Sequence, residues 1–200
     1  MLSTSALLSL AVQCAVSVHP DTVSAIAQTE SGFRPLAIGV VGQSKGIYPA
    51  NINDALAHVA RLKAEGKNYS IGLMQINKSN FSRFNVTEEQ LFNPCENLKV
   101  FEKIFSNCFI GGGTLIRALS CYYSGDYERG RRKESKFDNT SYIERIGYHS
   151  KVKYLVPSIK EDISKTDSGN NINPKHKVVI IYPSRLIRGD LQDNLIQESK

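Results

Sequence analysis

Residues 19–42 read HPDTVSAIAQTESGFRPLAIGVVG, and the parsing of this stretch decides the fold. Pro20 suits the first position of a helix, where its missing N–H would have no intrahelical partner anyway. Asp21 follows at the positive end of that helix. Val23, Ile26 and Ala27 then recur at i, i+3 and i+4, the spacing of one buried helical face. Gly32 and Pro35 end the helix. The next position of the apolar face, i+7, is occupied by Glu30. A carboxylate is costly to ionise on an inward-facing stripe. The negative pole at the helix end acts in the same direction, so both effects push its pKa up. A carboxylic acid held protonated near neutral pH is what general-acid cleavage of a glycosidic bond requires. Taken alone, the same pattern fits a Glu at the rim of a stripe, or one paired with an arginine.

The chain around this segment has 200 residues, 41% hydrophobic and 22% charged, which excludes a disordered or collagen-like chain. No run approaches the roughly 18 to 20 apolar residues of a spanning helix, so no integral membrane span is expected. With 25 Lys+Arg against 19 Asp+Glu the net charge is +6, compatible with an anionic partner. The charge is dispersed: residues 1–150 hold 16 basic and 13 acidic side chains, and residues 151–200 hold 9 and 6. The densest basic run, Arg129, Arg131, Arg132 and Lys133, reads as a solvated loop. No zinc-finger, Walker or basic-zipper spacing points to nucleic acid.

Upstream, residues 3–17 carry Leu7, Leu8, Leu10, Val12 and Val16 and predict a mostly buried helix. Residues 1–12 equally resemble the apolar part of a signal peptide, though without a basic start. Downstream, residues 36–50 predict a small hairpin or irregular loop, and residues 52–65 a helix capped by Asn51 or Asn53 and ended by Gly66. Thr87 to Gln90 forms a capping-box-like start. Helices are then expected over about 95–108, 114–122 and 139–153, with Gly111, Gly112 and Gly113 making a turn between the first two. The result is a mainly helical α+β domain over residues 1–155. Residues 156–200 form a polar tail with one β-prone run, Val178–Tyr182, suited to joining a partner's sheet edge. Cys14, Cys95, Cys108 and Cys121 form no CxxC pair, and no metal-ligand spacing surrounds them. Their even number fits two disulfides in an exported protein, with three possible connectivities, or four buried thiols.

Two further segments accompany Glu30-Ser31-Gly32-Phe33: Gly72-Leu73-Met74-Gln75-Ile76-Asn77, then Cys121-Tyr122-Tyr123-Ser124-Gly125. In this order they resemble the motifs ES, GLMQ and AYNAG of the soluble lytic transglycosylases, in the lysozyme-like superfamily. Residues 139–146, NTSYIERI, resemble the weaker fourth motif, with Tyr142 on its aromatic position. The resemblance covers about residues 10–150, and the 19–42 segment is most similar to the branch serving type IV secretion and conjugation.

The resemblance implies a lysozyme-like fold and a periplasmic enzyme acting on peptidoglycan glycan strands, with type IV secretion components as partners through the tail. It implies no metal or organic cofactor. Glu30 would be the sole acid/base. Ser31 and Gly32 would shape the helix end, and Gly72 would let backbone approach the sugar. Met74 and Gln75 would line the cleft, Gln75 offering amide hydrogen bonds. Tyr122 would orient the catalytic carboxyl or an N-acetyl group. Tyr123 departs from the family's Asn, and Cys121 from its Ala. Asp138 and Thr140 stand where the family often has Glu and Arg. Animal-type lysozymes carry a second carboxylate at the position of Ser70; its replacement here implies that one carboxyl serves both steps and that an anhydro-muramic end is formed. A hydrolytic muramidase and a peptidoglycan-binding scaffold are the alternatives.

Overall fold

A computed structural model describes residues 1–147. The chain opens on α1 (Thr4–Cys14), started by Ser3, whose Oγ accepts from the Ala6 N–H at 3.2 Å. Leu7, Ala11 and Cys14 form its buried face, while Val12 and Val16 are 61% and 59% exposed. The expectation of a mostly buried helix is therefore corrected: only one stripe packs inward, because α1 has neighbours on one side, chiefly α2 and α6. Helix α2 (Pro20–Ser31) follows, with Pro20 in its first turn and Gly32 closing it at φ +57°. A left-handed closing residue is where glycine is cheapest.

Three short strands come next: β1 (Ile38–Val40), β2 (Tyr69–Ile71) and β3 (Ile76–Asn77). They form an antiparallel sheet in the order β1-β2-β3, with Gly39 opposite Ser70 and Ser70 opposite Asn77. A bridge from Ile38 to Ile47 makes the 36–50 segment a small hairpin. Between β1 and β2 runs α3 (Ile52–Ala64), started by Asn51, whose Oδ1 accepts from the Asp54 N–H at 3.0 Å. Its apolar face, Ala55, Val59 and Leu62, is buried, and Lys63 pairs with Glu88 at 2.8 Å.

After β3 come α4 (Phe81–Phe84) and α5 (Glu88–Phe92), the latter entered through a full capping box of Thr87 and Gln90. The central helix is α6 (Pro94–Gly112). It buries Leu98, Phe101, Phe105 and Phe109 and packs along α7 (Leu115–Ser124). Helix α6 runs through Gly111 and Gly112, and only Gly113, at φ +74°, turns the chain; this corrects the expected three-glycine turn. The Tyr127 side chain lies against both helical glycines: a Cβ at Gly111 would meet its hydroxyl, and one at Gly112 would press on its ring and on Arg117.

The last described helix is α8 (Tyr142–Arg145), with Ser141 and Glu144 forming its capping box. The expected start at residue 139 is corrected: Asp138 and Asn139 have φ of +50° and +58°, which no right-handed helix accommodates. Residues beyond 147, the tail over 156–200, its Val178–Tyr182 run and its expected partner role lie outside the described residues.

The cysteines pair as Cys14–Cys95 and Cys108–Cys121. The first ties the end of α1 to the first turn of α6, and the second joins α6 to α7.

Candidate active site

A groove of about 780 Å³ runs between the sheet and the α6–α7 pair. Gly39, Ser70 and Asn77 stand in register across the three strands and all line it, so one row of the sheet faces the groove. Ser70 Oγ accepts from Asn77 Nδ2 at 3.2 Å. Helices α6 and α7 contribute Ile104, the Cys108–Cys121 disulfide, Tyr122 and Tyr123. Glu30 is the only acid among the described residues that line the groove.

Glu30 stands on the last turn of α2, on the face buried through Val23, Ile26 and Ala27. Loss of solvent pushes its carboxyl pKa up to about 7, against two opposing influences, the Tyr142 hydrogen bond and the Arg145 charge. The Tyr142 hydroxyl donates to Glu30 Oε1. Burial, with the Glu30 charge beside it, keeps the Tyr142 phenol itself well above its usual range, so it remains a donor. A carboxyl that titrates near neutrality can give a proton in one step and take one in the next.

The turn from Gly72 to Gln75 is fixed by Asn97 and Ser31, which do not line the groove, and by Tyr122 and Gln75, which do. Asn97, fully buried on α6, donates through Nδ2 to the carbonyls of Ile71 (3.2 Å) and Leu91 (2.8 Å) and accepts from the Met74 N–H (2.8 Å). Ser31 Oγ donates to the Leu73 carbonyl at 2.7 Å, joining the end of α2 to this turn. Tyr122 donates to the Met74 carbonyl at 2.6 Å. Gln75, at φ +49°, uses Nε2 on the carbonyls of Ala37 (3.1 Å) and Gly72 (2.9 Å). Its Oε1 lies directly over Gly39, where any Cβ would collide with it.

Tyr123 takes a different part. Its ring stacks on Tyr142 at 4.3 Å with an interplanar angle of 16°, and its hydroxyl donates to Glu134 at 2.7 Å. The Arg145 guanidinium lies 3.9 Å from the Phe137 ring centroid and 5.6 Å from both tyrosine rings. The Tyr123 hydrogen bond, Lys136 and Arg145 together hold the Glu134 carboxyl below its usual range despite partial burial.

The structure thus brings Glu30, Ser70, Gln75, Tyr122 and Tyr123 to one groove, with Tyr142 behind Glu30. Three expectations are corrected. Met74 is fully buried and does not line the groove; its contribution is backbone, bonded to Asn97 and Tyr122. Gly72, at φ +81°, is required by the Asn97 amide and the Leu91 carbonyl packed against its α-carbon, not by an open approach to sugar. The phenol on the carboxyl belongs to Tyr142; Tyr122 braces the turn instead. Helix α3 contributes nothing to the lining, and Asp54 serves the Ala50 N–H at its start.

Asn97, Glu134 and Arg145 escaped the sequence reading. Asn97 had a usable signal: it shares the i, i+4, i+8 row of Phe101 and Phe105, and a polar residue inside such a stripe marks a buried network. Glu134 and Arg145 lie in a charged, aperiodic segment that carries no such mark. Among the described residues, no three His, Cys, Asp or Glu side chains gather in a group that could hold a metal ion. No helix among them is long and apolar enough to cross a membrane.

Residues 8–144 match the family described as the transglycosylase SLT domain. A type IV secretion system protein virB1 of Brucella abortus is 38% identical over 146 residues, covering 68% of this chain and 60% of that protein. Protein virB1 of Agrobacterium fabrum is 37% identical over 126 residues, or 59% of this chain and 51% of the relative. Protein virB1 of Rhizobium radiobacter is 30% identical over 159 residues, or 76% and 63%. The chain therefore matches about half to two-thirds of these relatives' length. No solved structure matches it.

Proposed function

The chain belongs to the transglycosylase SLT domain family, and on that premise we propose that it is a lytic transglycosylase of peptidoglycan. The observation that carries the reading is Glu30: the one acid lining the groove among the described residues, its pKa raised to about 7 by burial, held by the Tyr142 phenol. Protonated Glu30 gives its proton to the glycosidic oxygen between N-acetylmuramic acid and N-acetylglucosamine. The bond from that oxygen to the muramyl anomeric carbon breaks, and the substrate's acetamido oxygen stabilises the positive charge. Glu30, now ionised, takes the proton of the muramyl C6 hydroxyl as that oxygen bonds to the anomeric carbon. The products are a new sugar hydroxyl and an anhydro-muramic end, and no water is consumed. The chain ends the cycle with Glu30 protonated again.

Ser70 and Gln75 Oε1 offer polar contacts along the sugar path, and Tyr122 and Tyr123 form its aromatic side. Ser31, Gly72 and Met74 set the turn that places Gln75, and Tyr142 orients the carboxyl. The names of the virB1 relatives support a setting in type IV secretion, where local opening of the wall makes room for the apparatus. That setting supports reading the protein as periplasmic.

The test is purified protein on cell-wall sacculi, with mass analysis of the released muropeptides. Anhydro ends are expected from the native chain and none from Glu30→Gln, which keeps the shape of the side chain but cannot exchange a proton. Loss of positioned acid/base catalysis costs on the order of a hundred- to ten-thousandfold, and with one group serving both steps the high end is expected. Reducing ends would instead favour a hydrolytic muramidase, which needs a second carboxylate across the bond.

A further inference from the structure

Two cations line the groove on either side of the sheet. Lys45 lies in the loop that leaves β1, and Arg83 lies on α4 just past β3, so they flank the two sheet edges. Both side chains belong to exposed residues. Among the described residues neither has a carboxylate within ion-pair distance, whereas Lys63, Lys99, Arg117, Arg131 and Lys136 each do. The Arg83 guanidinium lies over the Phe84 ring at 5.3 Å, which leaves its hydrogen-bonding edge free to turn to a ligand. Between the two cations the sheet row of Gly39, Ser70 and Asn77 is uncharged. Among the described residues the one acid lining the groove is Glu30, whose charge is largely suppressed below about pH 7. An incoming polymer therefore meets a neutral polar middle with unneutralised positive charge at each side.

The chemistry of the substrate supplies the complement. Where the muramyl lactyl group is amide-linked to a stem peptide, the glycan itself is uncharged and the negative charge resides in the peptide carboxylates. We propose that Lys45 and Arg83 form a subsite for those stem-peptide carboxylates, so that the groove selects peptide-bearing strands over neutral glycan. The proposal rests on the peptidoglycan reading above. Charge-assisted pairs at an exposed rim are directional but weak, and they are screened by salt.

Binding, not cleavage, is the primary readout. In the full chain carrying Glu30→Gln, affinity is measured by calorimetric titration for soluble peptide-bearing glycan and for the same glycan with its carboxyls converted to amides. At low salt the native glycan is expected to bind about tenfold tighter. Lys45→Ala and Arg83→Ala should each remove about threefold of that preference. The double variant should abolish it, and Lys45→Arg should keep it. Thermal unfolding of the double variant verifies that it is folded. A double variant that keeps the preference, or a parent with none, overturns the subsite. The wild-type chain on sacculi tests the underlying reading separately. A preference for native glycan with no anhydro product would sink the transglycosylase reading and leave the subsite standing. Anhydro product without a preference would do the reverse.

Discussion

Tyr142→Phe isolates the one hydrogen bond made to the Glu30 carboxyl among the described residues. The phenylalanine ring retains the stack on Tyr123 and the burial of residue 142, so the perturbation is confined to the hydroxyl. That hydroxyl donates to Glu30 and favours its ionised form, opposing the burial that raises the pKa to about 7. Removing it raises the pKa further. A hydrogen bond to a charged group is worth about 1.5–3 kcal/mol, which corresponds to about 1–2 pKa units. The Glu30 carboxyl of the variant is thus expected to titrate at about 8–9. The same loss acts on the rate, because carboxylate develops as the proton moves to the leaving oxygen. A barrier raised by about 1.5–3 kcal/mol lowers kcat by about 10- to 150-fold. The assay is kcat/KM from pH 5 to 9 on soluble glycan strands, together with a ¹³C NMR titration of the Glu30 carboxyl. The alkaline limb should move up by about 1–2 units while kcat falls. An unchanged limb, or one displaced toward acid, would refute the assignment of the phenol to Glu30.

Other perturbations follow from the same geometry. Glu30→Gln should gain stability at neutral and alkaline pH: the native carboxyl titrates at about 7 when folded and near its ordinary value when unfolded. The unfolded chain therefore loses its proton first, native stability falls as pH rises from about 4.5 to 7, and Gln escapes a penalty of about 3 kcal/mol. Melting temperatures of both proteins at pH 4 and pH 8 check the sign, since the variant's advantage should be present only at pH 8. Asn97→Ala should cost about 3–5 kcal/mol in urea unfolding, because the Ile71 and Leu91 carbonyls and the Met74 N–H lose buried partners at once. A loss below about 1 kcal/mol would mean that water replaces the amide. Replacing Cys14 and Cys95 by serine opens a cross-link between residues 81 apart, for which chain entropy predicts a loss of about 4.5 kcal/mol; thermal unfolding with Cys108–Cys121 intact measures it.

Much of the helical framework was legible because its signals are local. Pro20, Asp21 and Gly32 bound α2 by the chemistry of helix ends, and Thr87 with Gln90 starts α5 by a reciprocal cap. Glu30 stood out for a local reason as well: its i+7 place on an apolar face pointed to a buried carboxyl with a raised pKa, a pattern that a Glu at the rim of the stripe also fits. The even cysteine count fitted two disulfides of unspecified pairing as well as four buried thiols. The ordered motifs located the groove residues, although they carried no information about which phenol serves which acceptor.

The tertiary structure decided what depends on distant segments meeting. Tyr142 lies 112 positions from Glu30, and only the packing of α8 against α7 places its hydroxyl on the carboxyl. Met74 sits in a motif that lines clefts elsewhere, yet here it is turned inward because Asn97 and Tyr122 hold its backbone from behind. Gly72 is a glycine because of Asn97, 25 residues on, which no turn propensity encodes. The cysteine pairing likewise depended on α6 reaching both α1 and α7. The physical reason is common to all four. Helix caps and apolar periods are set by neighbours a few residues away, whereas the direction of a side chain and the acid it serves are set by which surfaces the fold brings into contact.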